Sequence, residues 1–448
     1  MSAYVGDSEL FRDQFGTAEM REVFDDRMTV QKWLDTEVAL ARAEADLGII
    51  PKSAANEIVA IGNAADYDLV ALKAEMDRTQ HPIVPLVRAM EAKCSPKAGG
   101  YIHWGATTQD ITDTGLILQI KDAWSLITAD LDALETNLIG LASAHRDTPM
   151  AGRTHGQQAQ PVTFGYKVAI WITEVRRHRT RMEQCAGRLF MGQFSGAVGS
   201  MAAMGSQGPD VQEKMMEILG LSVPAICWHV ARDTMAEAAS VMAMVAGTMG
   251  KIAQEIFFMS KTELAELEEP MPEGKVGSST MPHKRNPVIC ESVVALARTA
   301  RGCVPQAFEN LVAENERDKI GLQAEREYIA RLHLHTHAAV KKMVVCTGGL
   351  TVKADNMRRN LDVTGGLMLS EAVMMALAPV LGRQEAHEIV YQAAQQAAVD
   401  RRPMKDALMA VSEITDNLSE ADIDAVLDPA AYTCLCAQFV DWVLEGDG

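Results

Sequence analysis

The sequence predicts an all-α fold, and three observations predict it. From Thr234 to Glu269 about three dozen residues run without proline and are rich in Ala, Met, Glu and Lys, which are strong helix formers. Within that run Met242, Val245, Met249 and Ile252 recur at three- and four-residue intervals, the spacing of one helical face. Period-two strand patterns are scarce, and aromatic residues make up only 5% of the chain.

Ile111 to His145 and Phe164 to Phe190 carry the same periodicity. Helices beyond ~25 residues point to a bundle or a long coil. Proline and glycine mark the breaks at Pro51, Pro82–Pro85, Gly99–Gly100, Gly192–Gly199, Pro270–Pro287 and Gly365–Gly366. With 448 residues and ~100–200 per domain, two or three domains are expected. The breaks suggest an N-terminal helical part over 1–110, a central long-helix part over 111–350 and a C-terminal helical part over 351–448.

A net charge of −18 argues against general binding to nucleic acid or to an anionic membrane. Any anionic substrate must then be held by local cations against the global field. The eight cysteines show no disulfide framework, and Cys434-Leu435-Cys436 has no matching pair for a zinc site. His333, His335 and His337 share a predicted helix but lack the Glu of an H-E-x-x-H arrangement, so no metal is expected there. Gly196-Ala197-Val198-Gly199-Ser200 lacks the Gly-Lys-Ser/Thr ending of a phosphate loop. The N-terminus has no signal-peptide pattern, and no unbroken apolar segment reaches the ~20 residues of a membrane helix. A cytoplasmic location is the expectation.

The richest chemistry lies in Gly277-Ser278-Ser279-Thr280-Met281-Pro282-His283-Lys284-Arg285-Asn286-Pro287. Glycine allows close backbone approach to a ligand, and the prolines restrict the chain. Lys284 and Asn286 donate hydrogen bonds suited to carboxylate oxygens, and a serine hydroxyl gives or takes a proton. Two other polar segments stand out: His103-Trp104-Gly105-Ala106-Thr107-Thr108-Gln109-Asp110-Ile111-Thr112-Asp113-Thr114 and Gly152-Arg153-Thr154-His155-Gly156-Gln157-Gln158-Ala159-Gln160-Pro161.

In this order the three segments resemble the motifs of the fumarase/aspartase superfamily, which includes argininosuccinate lyase, adenylosuccinate lyase and 3-carboxy-cis,cis-muconate cycloisomerase. The resemblance runs from about Phe11 to the C-terminal region. It implies a three-part subunit whose long central helices join those of three other subunits in a tetrameric helix bundle, with active sites shared between subunits. It implies a β-elimination or its reverse on a small di- or tricarboxylate, without a cofactor. Ser278 is the implied base, with Ser279 as the alternative. Lys284 and Asn286 would grip the reacting carboxylate while negative charge develops on it.

By the same resemblance His155 serves the leaving group as general acid, and His81 is a second catalytic candidate. Thr107, Thr108 and Gln109 would bind the second carboxylate, whereas Asp110 caps the following helix. Arg326 and Arg232 are anion-site candidates or salt-bridge partners. The implied substrate is an N-substituted aspartate that releases fumarate. Carboxymuconate cycloisomerase is the alternative, because segments such as Ala18-Glu19-Met20-Arg21-Glu22-Val23-Phe24 are closest to that branch. Its bacterial members lack a histidine at the position of His155. Adenylosuccinate lyase proper usually carries serines where this chain has Gly321-Leu322-Gln323.

Overall fold

The computed structural model describes residues 4–271, 274, 280, 281 and 283–446. Helix takes 69% of the chain. Among the described residues strand is confined to two short antiparallel pairs, Pro149–Thr154 with Gln157–Thr163 and Leu267–Glu268 with Thr351–Val352. The fold is all-α.

Three long helices lie where apolar periodicity and propensity place them, at Thr108–Ala144, Phe164–Leu189 and Asp233–Met259, and a fourth, Lys319–Gly348, carries His333, His335 and His337. The third ends earlier than the expected Glu269. Ala265 takes a left-handed φ of 51°, and the Glu266 N–H bonds back to the Met259 carbonyl at 2.8 Å. Leu267 and Glu268 then pair with Val352 and Thr351. Tertiary partners override local propensity there. By length and composition Asp233–Met259 is apolar enough to cross a membrane, yet 56% of its most apolar window is buried inside the protein, as in a core helix.

Contacts divide the chain into two units. The first comprises Met1–Leu131, His178–Gly250 and Ser292–Lys341. Its Asp26–Asp46 helix starts at Asp25, whose carboxylate accepts the Met28 N–H at 2.6 Å. Val30, Leu34, Ala41 and Ala45 make a buried stripe at helical spacing and join Ile58, Leu86 and Met90 in one core. Burying a side chain such as Leu34 contributes roughly 1.5–3 kcal/mol. The helical histidines of this unit are packed inside it. His333 accepts from Trp124 Nε1 at 3.1 Å, and its Nδ1 lies 2.8 Å from the Ile329 carbonyl oxygen. His337 bridges Thr17 Oγ1 and Asp130. Burial lowers His333 to about 4, which makes it a neutral core side chain.

The second unit comprises Asp132–Arg177, Lys251–Glu291 and Lys342–Gly448. Helices Ser370–Leu381 and Arg383–Asp400 meet at Gly382, whose φ is +80°, and enclose Val373, Leu377, Val390, Met404 and Ile423. Gly165, one residue into the Phe164–Leu189 helix, donates its N–H to the His145 carbonyl at 2.8 Å. A Cβ there would stand 2.7 Å from the Ala142 carbonyl oxygen and 2.8 Å from Arg146 Cα. Both neighbours are backbone atoms and cannot rotate away. Gly165→Ala should therefore cost about 1–3 kcal/mol in a denaturant titration, whereas Gly140→Ala, where a Cβ meets nothing within 4 Å, should leave stability unchanged or raise it.

Candidate functional site

The candidate residues divide between the two units. In the first, helix Thr108–Ala144 begins at Thr107, whose N–H donates to Asp110 Oδ2 at 2.9 Å. The same carboxylate accepts from the Ser195 and Gly196 N–H groups and from His229 Nε2, each at 3.0 Å. Asp110 is fully buried, so these four partners replace the water it gave up. They fix the start of the long helix against the Gly196–Gly199 turn. Burial disfavours a charged His229, but the Asp110 bond and charge and the Cys227 thiol outweigh it and raise the imidazole to about 9.

Gln109 is also buried. Its amide nitrogen donates to Asp113 Oδ2 at 3.0 Å and to the His229 carbonyl at 2.8 Å. Both N–H donors are spent inside the protein, contrary to the expectation that Gln109 offers them to a substrate carboxylate. Arg232 is only 4% exposed. It makes two bonds to Asp113 and two to Glu325, four of the five a guanidinium can donate, and stacks over Trp228 at 5.0 Å. Of the two expected roles it takes the ion pair. Arg326 next to Glu325 is exposed and lines a separate cleft of about 360 Å³ with Asp26, Trp33, Thr112 and Asp113.

His81 is placed by a helix that stops and another that starts. Gln80 ends Leu69–Thr79 in a left-handed conformation, and the Val84 N–H donates to His81 Nδ1 at 3.2 Å. The neutral ring thus carries its proton on Nε2, which faces Thr108 Oγ1 at 3.1 Å. Burial, then Lys319, His103 and Arg317, lower the His81 pKa. Arg317 donates to Thr107 Oγ1 at 2.8 Å and to the Ala197 carbonyl at 2.6 Å. Cations, hydroxyls and the positive end of a 37-residue helix therefore converge at Thr107 and Thr108, an arrangement that favours an anion. Sequence reasoning missed Arg317, and missed His103 although it opens the first polar segment, four residues before Thr107. His103 Nδ1 lies 2.6 Å from the buried Glu37 carboxylate. Burial opposes its charging, but Glu37 prevails and the pKa is raised.

In the second unit His155 and Gly156 form the two-residue loop of a hairpin, between paired Thr154 and Gln157. Their φ values of +54° and +77° suit the tight turn that strand twist demands. Histidine in that conformation carries a cost of about 1–2 kcal/mol, and the hairpin is anchored well enough to bear it. Arg153 pairs with the fully buried Glu266 at 2.6 and 3.0 Å, and Gln158 donates to the Asn360 carbonyl at 2.7 Å. His155 itself is exposed.

Lys284 and Asn286 line one cleft of about 900 Å³ with Lys261, His283, Arg285, Glu291 and Lys353. Arg285 and Lys353 both pair with Glu268, whereas the Lys284 ammonium is exposed. Asn286 is half-buried. His155 does not line this cleft. Ser278, the expected base, and its alternative Ser279 lie outside the described residues.

The His229–Asp110 pair makes stability pH-dependent. Because His229 is raised, its stabilisation is complete below about 6.5 and is lost as pH rises through about 9. Melting temperature should fall across that window, and His229→Gln should flatten the fall. Asp110→Asn should cost about 3–5 kcal/mol at neutral pH, since it strands a buried charge.

A profile of the family described as Lyase matches residues 13–302, and one described as Adenylosuccinate lyase C-terminus matches 366–443. The chain is 40% identical over 444 residues to N-acetyl-S-(2-succino)cysteine lyase of Enterococcus italicus, covering 99% of this chain and 97% of that one. It is 41% identical over 429 residues to 3-carboxy-cis,cis-muconate cycloisomerase of Pseudomonas aeruginosa, with 95% and 93% covered. The crystal structure of the 3-carboxy-cis,cis-muconate lactonizing enzyme from Pseudomonas putida matches with a TM-score of 0.92 at 39% identity, covering 98% of each chain. The first profile spans all three polar motifs, and the chain belongs to the fumarase/aspartase superfamily of lyases, in its adenylosuccinate lyase-like branch.

Proposed function

We propose that the enzyme catalyses β-elimination from a succinylated substrate and releases fumarate, with a thiol as the leaving group. The observation that carries this reading is the cleft holding Lys284 and Asn286, an exposed cation and an amide on a protein of net charge −18. A proton on carbon next to a carboxylate is removable only if the charge that develops on the oxygens is held, and fixed donors supply that stabilisation. Lys284 and Asn286 take this role. Thr107 and Thr108, backed by Arg317 and the helix terminus, hold the second carboxylate. His81 donates from Nε2, Arg326 remains a candidate for a further anionic group, and Ser278 removes the proton.

Two similar chains, at 40% and 37% identity over nearly their full length, are named N-acetyl-S-(2-succino)cysteine lyase. That favours sulfur over the nitrogen expected from the motifs. A thiol departs more easily than an amine, since its thiolate is stable near neutral pH. His155 then protonates or positions the departing group, and an amine leaving group would lean on it more heavily. Intramolecular lactonisation of a carboxymuconate is the second reading, favoured by relatives of that name at 39–41% identity. The working form in this proposal is a homotetramer with sites shared between subunits. Ile170, Met244 and Val345, on three of the long helices, expose apolar surface that such a bundle would cover.

Incubation with S-succinyl thiols, N-succinyl amines and carboxymuconate in parallel, with fumarate detected directly, separates the readings. Fumarate from the thioether is the expected result. Consumption of carboxymuconate alone would reject the proposal. Lys284→Ala should lower kcat about 10²–10³-fold. Ser278→Ala should abolish turnover while dicarboxylate binding persists, and unchanged turnover would place the base elsewhere. Analytical ultracentrifugation should find a tetramer; a stable, active monomer would defeat the shared-site arrangement.

A further inference from the structure

Glu269, Cys290 and Cys346 are separated by 21 and 56 residues, so no sequence spacing links them. In the second unit a carboxylate oxygen and both sulfurs nevertheless lie within 4.8 Å of one another. Both cysteines are fully buried, and Glu269 is 7% exposed. The Glu269 carboxylate is already oriented, accepting the Ile289 N–H at 3.0 Å and the Cys290 N–H at 3.1 Å at the start of helix Val288–Arg301. The two sulfurs stand 3.8 Å apart. Two thiolates bound tetrahedrally to zinc, with Zn–S bonds of about 2.3 Å, also stand about 3.8 Å apart. The donors thus already span one edge of a zinc tetrahedron.

The geometry points to a site of two thiolates and one carboxylate for a thiophilic divalent cation such as zinc, built from Glu269, Cys290 and Cys346. The ion forms two metal–sulfur bonds and one metal–oxygen bond, and the two thiol protons leave to solvent. Before binding the cluster carries one negative charge, on the carboxylate. Afterwards a dication balances two thiolates and one carboxylate, so the net charge is unchanged. The interior is asked to bury no additional net charge. Occupancy would tie the first turn of Val288–Arg301, which follows directly on Lys284 and Asn286, to the last turns of Lys319–Gly348. The ion would act as a staple in the wall of the cleft, which Glu269 also lines.

The test uses full-length protein, purified reduced and metal-free, titrated first with cobalt and then with zinc. A thiolate-to-cobalt charge-transfer band should saturate at one equivalent per chain and bleach on zinc addition. Zinc should also raise the melting temperature. Cys346→Ser should lose the band and the thermal shift, whereas Cys434→Ser, at an exposed thiol, should keep both. If circular dichroism shows that Cys346→Ser fails to fold, Glu269→Gln takes its place and should weaken zinc binding at least about tenfold. No band in the folded wild type, or an undiminished band in Cys346→Ser, or unweakened zinc binding in Glu269→Gln, would leave a packed thiol pair only and overturn the site.

Discussion

The buried carboxylate of Asp110 is the constraint on which the first unit depends. It joins three things that sequence order keeps apart: the start of the Thr108–Ala144 helix, the Ser195–Gly196 turn and His229. None of the three is held in place by apolar packing alone, because each presents N–H groups that must be satisfied out of water. Concentrating them on one anion makes the arrangement all-or-none. It also sets the direction of the helix terminus and so determines where Thr107 and Thr108 present their hydroxyls.

The long helices were legible because propensity and apolar spacing agree over many turns. The hairpin that carries His155 was not. Its strands are short and polar, and His155-Gly156 lacks the Asn-Gly or Asp-Gly signature of such turns. Two glycines of that motif have a physical reason: Gly156 takes the positive φ of the turn, and a Cβ at Gly152 would stand 2.7 Å from the Gln160 carbonyl oxygen. The end of the third long helix was misplaced for a related reason. Glu266 is a good helix former, but its partner is Arg153, more than one hundred residues away in the chain, and a pairing at that distance leaves no local mark.

At the site, residue type was legible and burial was not. Thr107, Gln109 and Asp110 are neighbours with similar polarity, yet Thr107 is partly exposed while Gln109 and Asp110 are sealed in the interior. Thr107 lies just before the helix, whereas Gln109 and Asp110 are inside its first turn and face the interior. Arg232 was read as either an anion site or a salt-bridge partner, and only its contacts with Asp113 and Glu325 decide between them. Glu37 gave no signal, because it is one of several charged residues on the Asp26–Asp46 helix and only its burial beside His103 sets it apart. Arg317 was visible as a cation but not as a partner of Thr107.

The polar residues of this chain therefore fall into two populations with different physical duties. Asp110, Gln109, Arg153 and Arg232 turn their charge or amide inward and satisfy one another or the backbone. His155 and Lys284 turn outward, where a substrate can reach them. The inward set fixes backbone on which the outward side chains are carried. A hydroxyl at a mobile helix start, or an imidazole on a loose turn, would lose most of its advantage over water as a hydrogen-bond donor. In an acidic protein this matters more than usual, because the long-range field opposes an anionic substrate and only nearby, well-aimed donors can overcome it. A motif match thus identifies scaffold and chemistry together, and burial is the property that tells them apart.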